Sequence, residues 1–93
     1  MIRSFRSRDT ERVFRRERPR TYPPAILQRA YRKLALLATA SRLADLGAMP
    51  GNGLEALRGD RAGQHSIRIN DQWQICFVWR GNGADGVEIV DYH

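Results

Sequence analysis

Cysteine is all but missing from this chain. A lone thiol, Cys76, cannot close an internal disulfide or supply a multi-thiolate zinc site, so disulfide scaffolds and zinc ribbons are excluded together. The residue is expected to serve as a small buried hydrophobe. Long apolar runs are missing as well. Nothing approaches the roughly 18 residues of a membrane span, and the arginine-rich opening lacks the apolar stretch of a secretory signal, so a cytoplasmic protein without membrane contact is expected. Two histidines and one cysteine at these spacings make a poor metal site, and no cofactor is expected. No glycine-rich phosphate loop, Ser-His-Asp order or zinc-protease helix signature occurs. Lysine is reduced to Lys33, all other members of the 16 basic residues being arginine.

What is present is a length of 93 residues with 42% hydrophobic and 28% charged side chains, too apolar for a disordered chain and too short for two cores. A single domain over residues 1–93 is expected. The net charge of +6 is unevenly spread: residues 1–46 carry +8 and residues 47–93 carry −2. A basic half attracts phosphate backbones, and arginine suits bidentate and stacked contacts to phosphate and base better than lysine does. An acidic protein surface would be attracted equally well, and codon bias accounts for the arginine preference as readily.

Helical periods come first along the chain. Met1-Ile2-Arg3-Ser4-Phe5 alternates like a short strand. Ser7 or Asp9 can cap a helix from about Arg8 to Glu17, with Val13 and Phe14 as its apolar stripe. After Pro19 and Pro23-Pro24, with Thr21 a further candidate cap, Leu27, Ala30, Tyr31, Leu34, Leu37 and Ala38 fall on one face of a second helix over 24–39. Gly47, Pro50, Gly51 and Gly53 then read as a loop.

Strand periods follow. Gly59 to Gly63 reads as a turn, Ser66 to Ile69 as a strand, and Asn70-Asp71-Gln72 as the turn into a long strand with Trp73, Ile75, Phe77 and Trp79 on one face. Gly81-Asn82-Gly83 signals a hairpin into a last strand from Val87. Two helices followed by strands joined through tight turns predict an α+β layer in which the helices cover one face of an antiparallel sheet. The strand aromatics superficially suggest an RNA-stacking platform, but their alternation with polar residues favours a core. His65, just past a glycine turn, reads as a half-exposed polar residue.

The opening Ile2-Arg3-Ser4-Phe5, the block from Leu54 to Gly63, Ser66-Ile67, Trp73 with Ile75 and Phe77, and the closing Asp91-Tyr92-His93 resemble HigB-type toxins of the RelE/ParE toxin–antitoxin superfamily. The resemblance spans nearly the whole chain. It implies the RelE-like microbial RNase fold and a ribosome-dependent endoribonuclease that cuts mRNA in the A site of the 70S ribosome. The implied partner is a HigA-type helix-turn-helix antitoxin. Two other readings stand beside it: a catalytically degenerate toxin that binds its antitoxin as a corepressor, and a gyrase-directed ParE-like toxin.

RNA cleavage without a metal needs a base for the 2′-hydroxyl proton, an acid for the leaving 5′-oxygen, and donors for the charged phosphorane. On the resemblance, His93 is the general acid or base, Tyr92 positions or stacks on the nucleotide, and Asp91 orients the imidazole or holds the scissile region. Arg58, Arg61 and Arg68 are candidate phosphate contacts. Two positions depart from the family pattern. Glu55 stands where some members carry a catalytic histidine, and is either a base or an exposed strand residue. Gln74 stands where members commonly have arginine after the tryptophan, and a neutral amide cannot match guanidinium charge beside a phosphorane, so an attenuated enzyme is expected.

Overall fold

A computed structural model describes residues 1–91; Tyr92 and His93 lie outside the described residues. Three helices, α1 (Arg8–Phe14), α2 (Pro24–Thr39) and α3 (Leu43–Gly47), precede four strands: β1 (Glu55–Ala56), β2 (His65–Arg68), β3 (Trp73–Arg80) and β4 (Gly83–Asp91). The strands form an antiparallel meander in the order β1-β2-β3-β4. The architecture is the expected α+β layer.

Ser7 caps α1 by accepting the Thr10 N–H at 3.2 Å. The helix stops at Phe14 rather than Glu17. Arg16 adopts φ +64°, and the amides of Arg16 and Glu17 turn back to the carbonyls of Val13 and Arg12 at 3.0 and 2.9 Å, a left-handed C-terminal cap built on arginine instead of glycine. The Arg16 guanidinium lies 4.4 Å from the centre of the Tyr31 ring and donates to its hydroxyl at 3.2 Å, contacts that offset part of the backbone cost. The second helix occupies its expected span, with Pro24 in its first turn, but Thr21 does not cap it; that hydroxyl donates to Asp9 instead. A short helix that the sequence reading did not place, α3, precedes the glycine-rich loop, its first turn tied by Asp45 accepting the Arg42 N–H at 3.1 Å.

The opening segment does not form a strand. Ile2 and Phe5 make two isolated parallel bridges to Ala84 and Val87 along the free edge of β4. Continuous pairing fails because β4 carries an extra residue between Asp85 and Glu88 opposite Cys76–Val78, with Gly86 at φ +60°. β4 begins at Gly83 rather than Val87, because the Gly81-Asn82 loop pairs Arg80 directly with Gly83. Ile89 presents its N–H to the buried Thr10 hydroxyl at 2.9 Å, and that hydroxyl is also 3.0 Å from the Tyr22 hydroxyl. The edge is therefore closed by α1 where the opening segment ends.

Ile67, Ile69, Ile75, Phe77, Val87 and Ile89 face the helices and pack on Ile26, Leu27, Ala30, Leu34 and Leu37 of α2, with Val13 and Leu46 completing one cluster. Trp73 and Trp79 are half-buried against it. The alternating aromatics of β3 are core-facing rather than an RNA platform. His65 also lies on this side, stacked on Phe77 at 6.4 Å, and its Nδ1 is buried with no hydrogen-bond partner among the described residues. No described helix is long and apolar enough to cross a membrane.

Candidate active site

Strand alternation decides what reaches the face turned away from the helices. Register assembles that face in two cross-strand rows: Glu55, Ser66, Cys76 and Glu88 in one, Arg68, Gln74 and Val90 in the next. A groove of about 250 Å³ opens over their β1–β3 side, lined by Gly53, Glu55, Ser66, Arg68, Asn70, Asp71 and Gln74. Glu55 is exposed on the two-residue edge strand and takes part in no ion pair among the described residues.

Two fixtures set the groove's end. Asn52 is fully buried, donates to the Leu46 carbonyl at 3.0 Å, accepts from Lys33 Nζ at 2.5 Å, and receives the Arg68 N–H on its own carbonyl at 2.6 Å. Burial, with Arg29 nearby, lowers the Lys33 pKa from its ordinary value. Asn70 closes the β2–β3 turn, its side-chain oxygen accepting the amides of Gln72 and Trp73 at 2.8 Å each. Across this turn the Arg68 guanidinium pairs with Asp71.

Beyond the groove, Arg61 bridges the sheet. Its Nη1 donates to Gln64 at 3.0 Å and to Glu88 at 2.9 Å. The bond to Glu88 raises the arginine's pKa, and the thiol of buried Cys76, in the same row as Glu88, is pushed up chiefly by desolvation. Cys76 is thus buried, as composition suggested, although it lies on the face opposite the helices. Arg58 is exposed in the β1–β2 connection, at the start of the 3₁₀ turn Gly59–Arg61.

Of the residues singled out from sequence, the groove collects Glu55, Arg68 and Gln74. Arg61 stands outside the groove, engaged by Glu88 at the far end of the row that begins with Glu55. Asp91 pairs with Trp73 at the end of β4, beside the Gln74–Val90 pair but on the alternate face, and accepts from Gln72 Nε2 at 3.2 Å. Tyr92 and His93 follow it outside the described residues. Sequence reasoning missed Ser66, Asp71 and Glu88 as members of this face. Ser66 and Glu88 were detectable in principle, since each is two or more residues in phase with Arg68 or Val90, but only the pairing register shows that they align with Glu55 and Cys76. A larger hollow of about 480 Å³ lies between the end of α1 and α2, bordered by Val13, Arg16, Arg18, Leu27, Tyr31 and Arg32, and holds none of the singled-out residues.

Comparison with known proteins agrees with the family resemblance. Residues 3–93 match the model of the RelE-like toxin HigB of type II toxin–antitoxin systems. Toxin HigB-1 of Vibrio cholerae serotype O1 is 38% identical over 76 residues, covering 82% of this chain and 76% of that protein. Endoribonuclease HigB of Proteus vulgaris is 28% identical over 93 residues, the full length of both. With an α+β fold of the expected kind and a family match over nearly every residue, the chain belongs to the RelE-like HigB toxins of type II toxin–antitoxin systems, a class that implies an antitoxin partner.

Proposed function

We propose that this toxin is an endoribonuclease that cleaves mRNA in the A site of the 70S ribosome and is held inactive by a HigA-type helix-turn-helix antitoxin. The observation that carries the reading is the convergence of Glu55, Arg68 and Gln74, from three strands, in one open groove beside the strand end that leads into Asp91-Tyr92-His93. The Proteus vulgaris relative bears the name endoribonuclease. An open face on a sheet suits an extended single strand, and the +8 charge of residues 1–46 suits a ribosomal RNA surface.

In this reading the 2′-oxygen attacks phosphorus as its proton leaves to a base, and the P–O5′ bond breaks as an acid protonates the 5′-oxygen. His93 supplies one of these transfers, since imidazole titrates near neutrality. Glu55, in the groove and outside any ion pair among the described residues, is the second proton carrier. Tyr92 stacks on the nucleotide and Asp91 orients the imidazole. Arg58 and Arg68 meet phosphate directly, while Arg61 adds its charge from within the bridge to Glu88. Gln74 donates hydrogen bonds without charge, and losing one charged transition-state donor typically costs roughly 10²–10³-fold in rate, so the enzyme is attenuated.

The test is cleavage of a translating mRNA on purified ribosomes by this chain, Gln74→Arg and His93→Ala. The expected pattern is weak cleavage that rises with Gln74→Arg and vanishes with His93→Ala. Absence of cleavage by all three refutes the reading. Antitoxin-dependent operator binding in that case would favour the degenerate corepressor, the alternative that Gln74 recommends, and altered DNA supercoiling would favour a gyrase-directed toxin.

A further inference from the structure

The hollow of about 480 Å³ between the end of α1 and α2 shares no lining residue with the groove on the open face of the sheet. Val13 and Leu27, both members of the core, give it an apolar base. Arg16, Arg18 and Arg32 stand exposed around it, and none of the three takes part in an ion pair among the described residues. Arg16 is also held in the left-handed region, at φ +64°, where glycine would end the helix at less steric cost. Strain kept at a position that glycine would relieve points to work done by the side chain. That side chain lies 4.4 Å from the centre of the Tyr31 ring and donates to its hydroxyl at 3.2 Å, which fixes a cation at the rim.

We propose that this hollow docks an acidic segment of the antitoxin, whose carboxylates meet Arg16, Arg18 and Arg32 while one apolar side chain rests on Val13 and Leu27. The inference rests on the antitoxin part of the reading above, not on the nuclease chemistry, and adds the surface and the chemistry of the segment that fits it. The volume is adequate, since sites that enclose a ligand of several side chains' size span roughly 300–1,000 Å³. Three cations against one acid, Glu17, on the lining set the sign of the partner. An RNA strand fits less well. Arg16 already covers a face of the Tyr31 ring on which a base would stack, and Glu17 repels phosphate. A peptide satisfies both parts of the hollow, because carboxylates take charge-assisted bonds from arginine and the aliphatic base takes a buried anchor.

The experiment measures the affinity of the full chain for its purified cognate antitoxin, with Tm as a check on folding. Arg16→Gly keeps the left-handed helix stop and should hold Tm near the unaltered value, because relieved strain offsets the lost contact with Tyr31, yet lower affinity about 10-fold. Arg18→Gln/Arg32→Gln should lower affinity roughly 10–100-fold and flatten its dependence on salt. Gln28→Trp, from an exposed position on the lining, fills the hollow without altering charge and should cost about 10-fold. The control Arg8→Gln/Arg20→Gln removes the same charge from exposed arginines outside the hollow and should change affinity less than about three-fold.

Unchanged affinity in Arg16→Gly or in Arg18→Gln/Arg32→Gln overturns the proposal. So does a control that loses as much as the hollow variants, which would reduce the effect to overall charge. An unaffected Gln28→Trp also overturns it, since the rim would then attract the antitoxin without anything entering the hollow. Variants that keep antitoxin affinity but lose binding to purified ribosomes assign the hollow to RNA instead. Failure of the antitoxin reading looks different: the unaltered chain then forms no complex with the antitoxin, and the docking site falls with it.

Discussion

Replacing Thr10 by valine tests the link between the first helix and the strand that leads to the terminal motif. Thr10 is fully buried, and its hydroxyl accepts the Ile89 N–H at 2.9 Å while sharing a hydrogen bond with the Tyr22 hydroxyl at 3.0 Å. Valine has nearly the same shape but leaves the Ile89 amide without an acceptor and strips Tyr22 of its short partner, leaving only Ser7 Oγ at 3.5 Å. An orphaned buried polar group costs about 1–3 kcal/mol, so the two together cost about 2–4 kcal/mol. Against the roughly 5–14 kcal/mol expected for a chain of this length, that is a large share of the total. The corresponding fall in Tm is about 10–25 °C.

Tyr22→Phe leaves Thr10 still bonded to Ile89, and should cost only about 1 kcal/mol. The ring keeps its edge-on contact with Trp73, 5.7 Å between centroids. Because Thr10→Val has already weakened the tyrosine's bonding, adding Tyr22→Phe to it should cost almost nothing more. Thermal and urea unfolding of the two single variants and the double variant close the cycle. Full additivity, or a Thr10→Val penalty no larger than that of Tyr22→Phe, would refute the account. Hydrogen exchange should locate the damage at the Ile89 amide, two residues before Asp91, so cleavage should fall alongside stability.

Two further perturbations probe the other anchors. A β-carbon at Gly83 would lie 2.7 Å from Arg3 Nε and 3.0 Å from the Met1 carbonyl oxygen. Gly83→Ala should therefore push the opening segment off the β4 edge, at a cost of about 1–2 kcal/mol, and the Ala84 amide, which donates to that carbonyl at 2.8 Å, should exchange faster; unchanged exchange there would show that the segment adapts. Asp45 is held below its ordinary carboxylate pKa, first by the Arg42 backbone N–H and then by its guanidinium and Ser41. A lowered folded pKa contributes stability above the unfolded value of about 3.9 and loses it as pH falls through the folded one. Asp45→Asn should thus lower Tm at neutral pH and flatten the decline below about pH 4; parallel Tm curves for the two proteins between pH 2 and 7 would contradict this.

Local signals wrote the elements that sequence reading located well. A proline in the first turn and an i, i+3, i+4 stripe define α2, and strict alternation between a turn and a glycine hairpin defines β3. The elements it misplaced depend on partners distant in sequence or on caps made by unusual residues. Arg16 ends α1 from a left-handed conformation that usually belongs to glycine, and α3 is capped at Arg42 with Asp45 as the reciprocal partner, a signal visible in hindsight as an acid three residues after a helix boundary. The opening segment looked like a strand and became an edge seam because β4 bulges at Gly86, which no property of residues 1–5 encodes.

The same division governs the groove. Residue types nominated Glu55, Arg68 and Gln74 one at a time, but their proximity is a property of register, and register is set by the Asn70 turn that makes Arg68 face Gln74. A slip of one residue would send Arg68 to the helix side and put Ile67 or Ile69 opposite the amide. The buried isoleucines forbid that slip, since each is fully or almost fully removed from water on the core face. The core thus selects the charge arrangement of the open face.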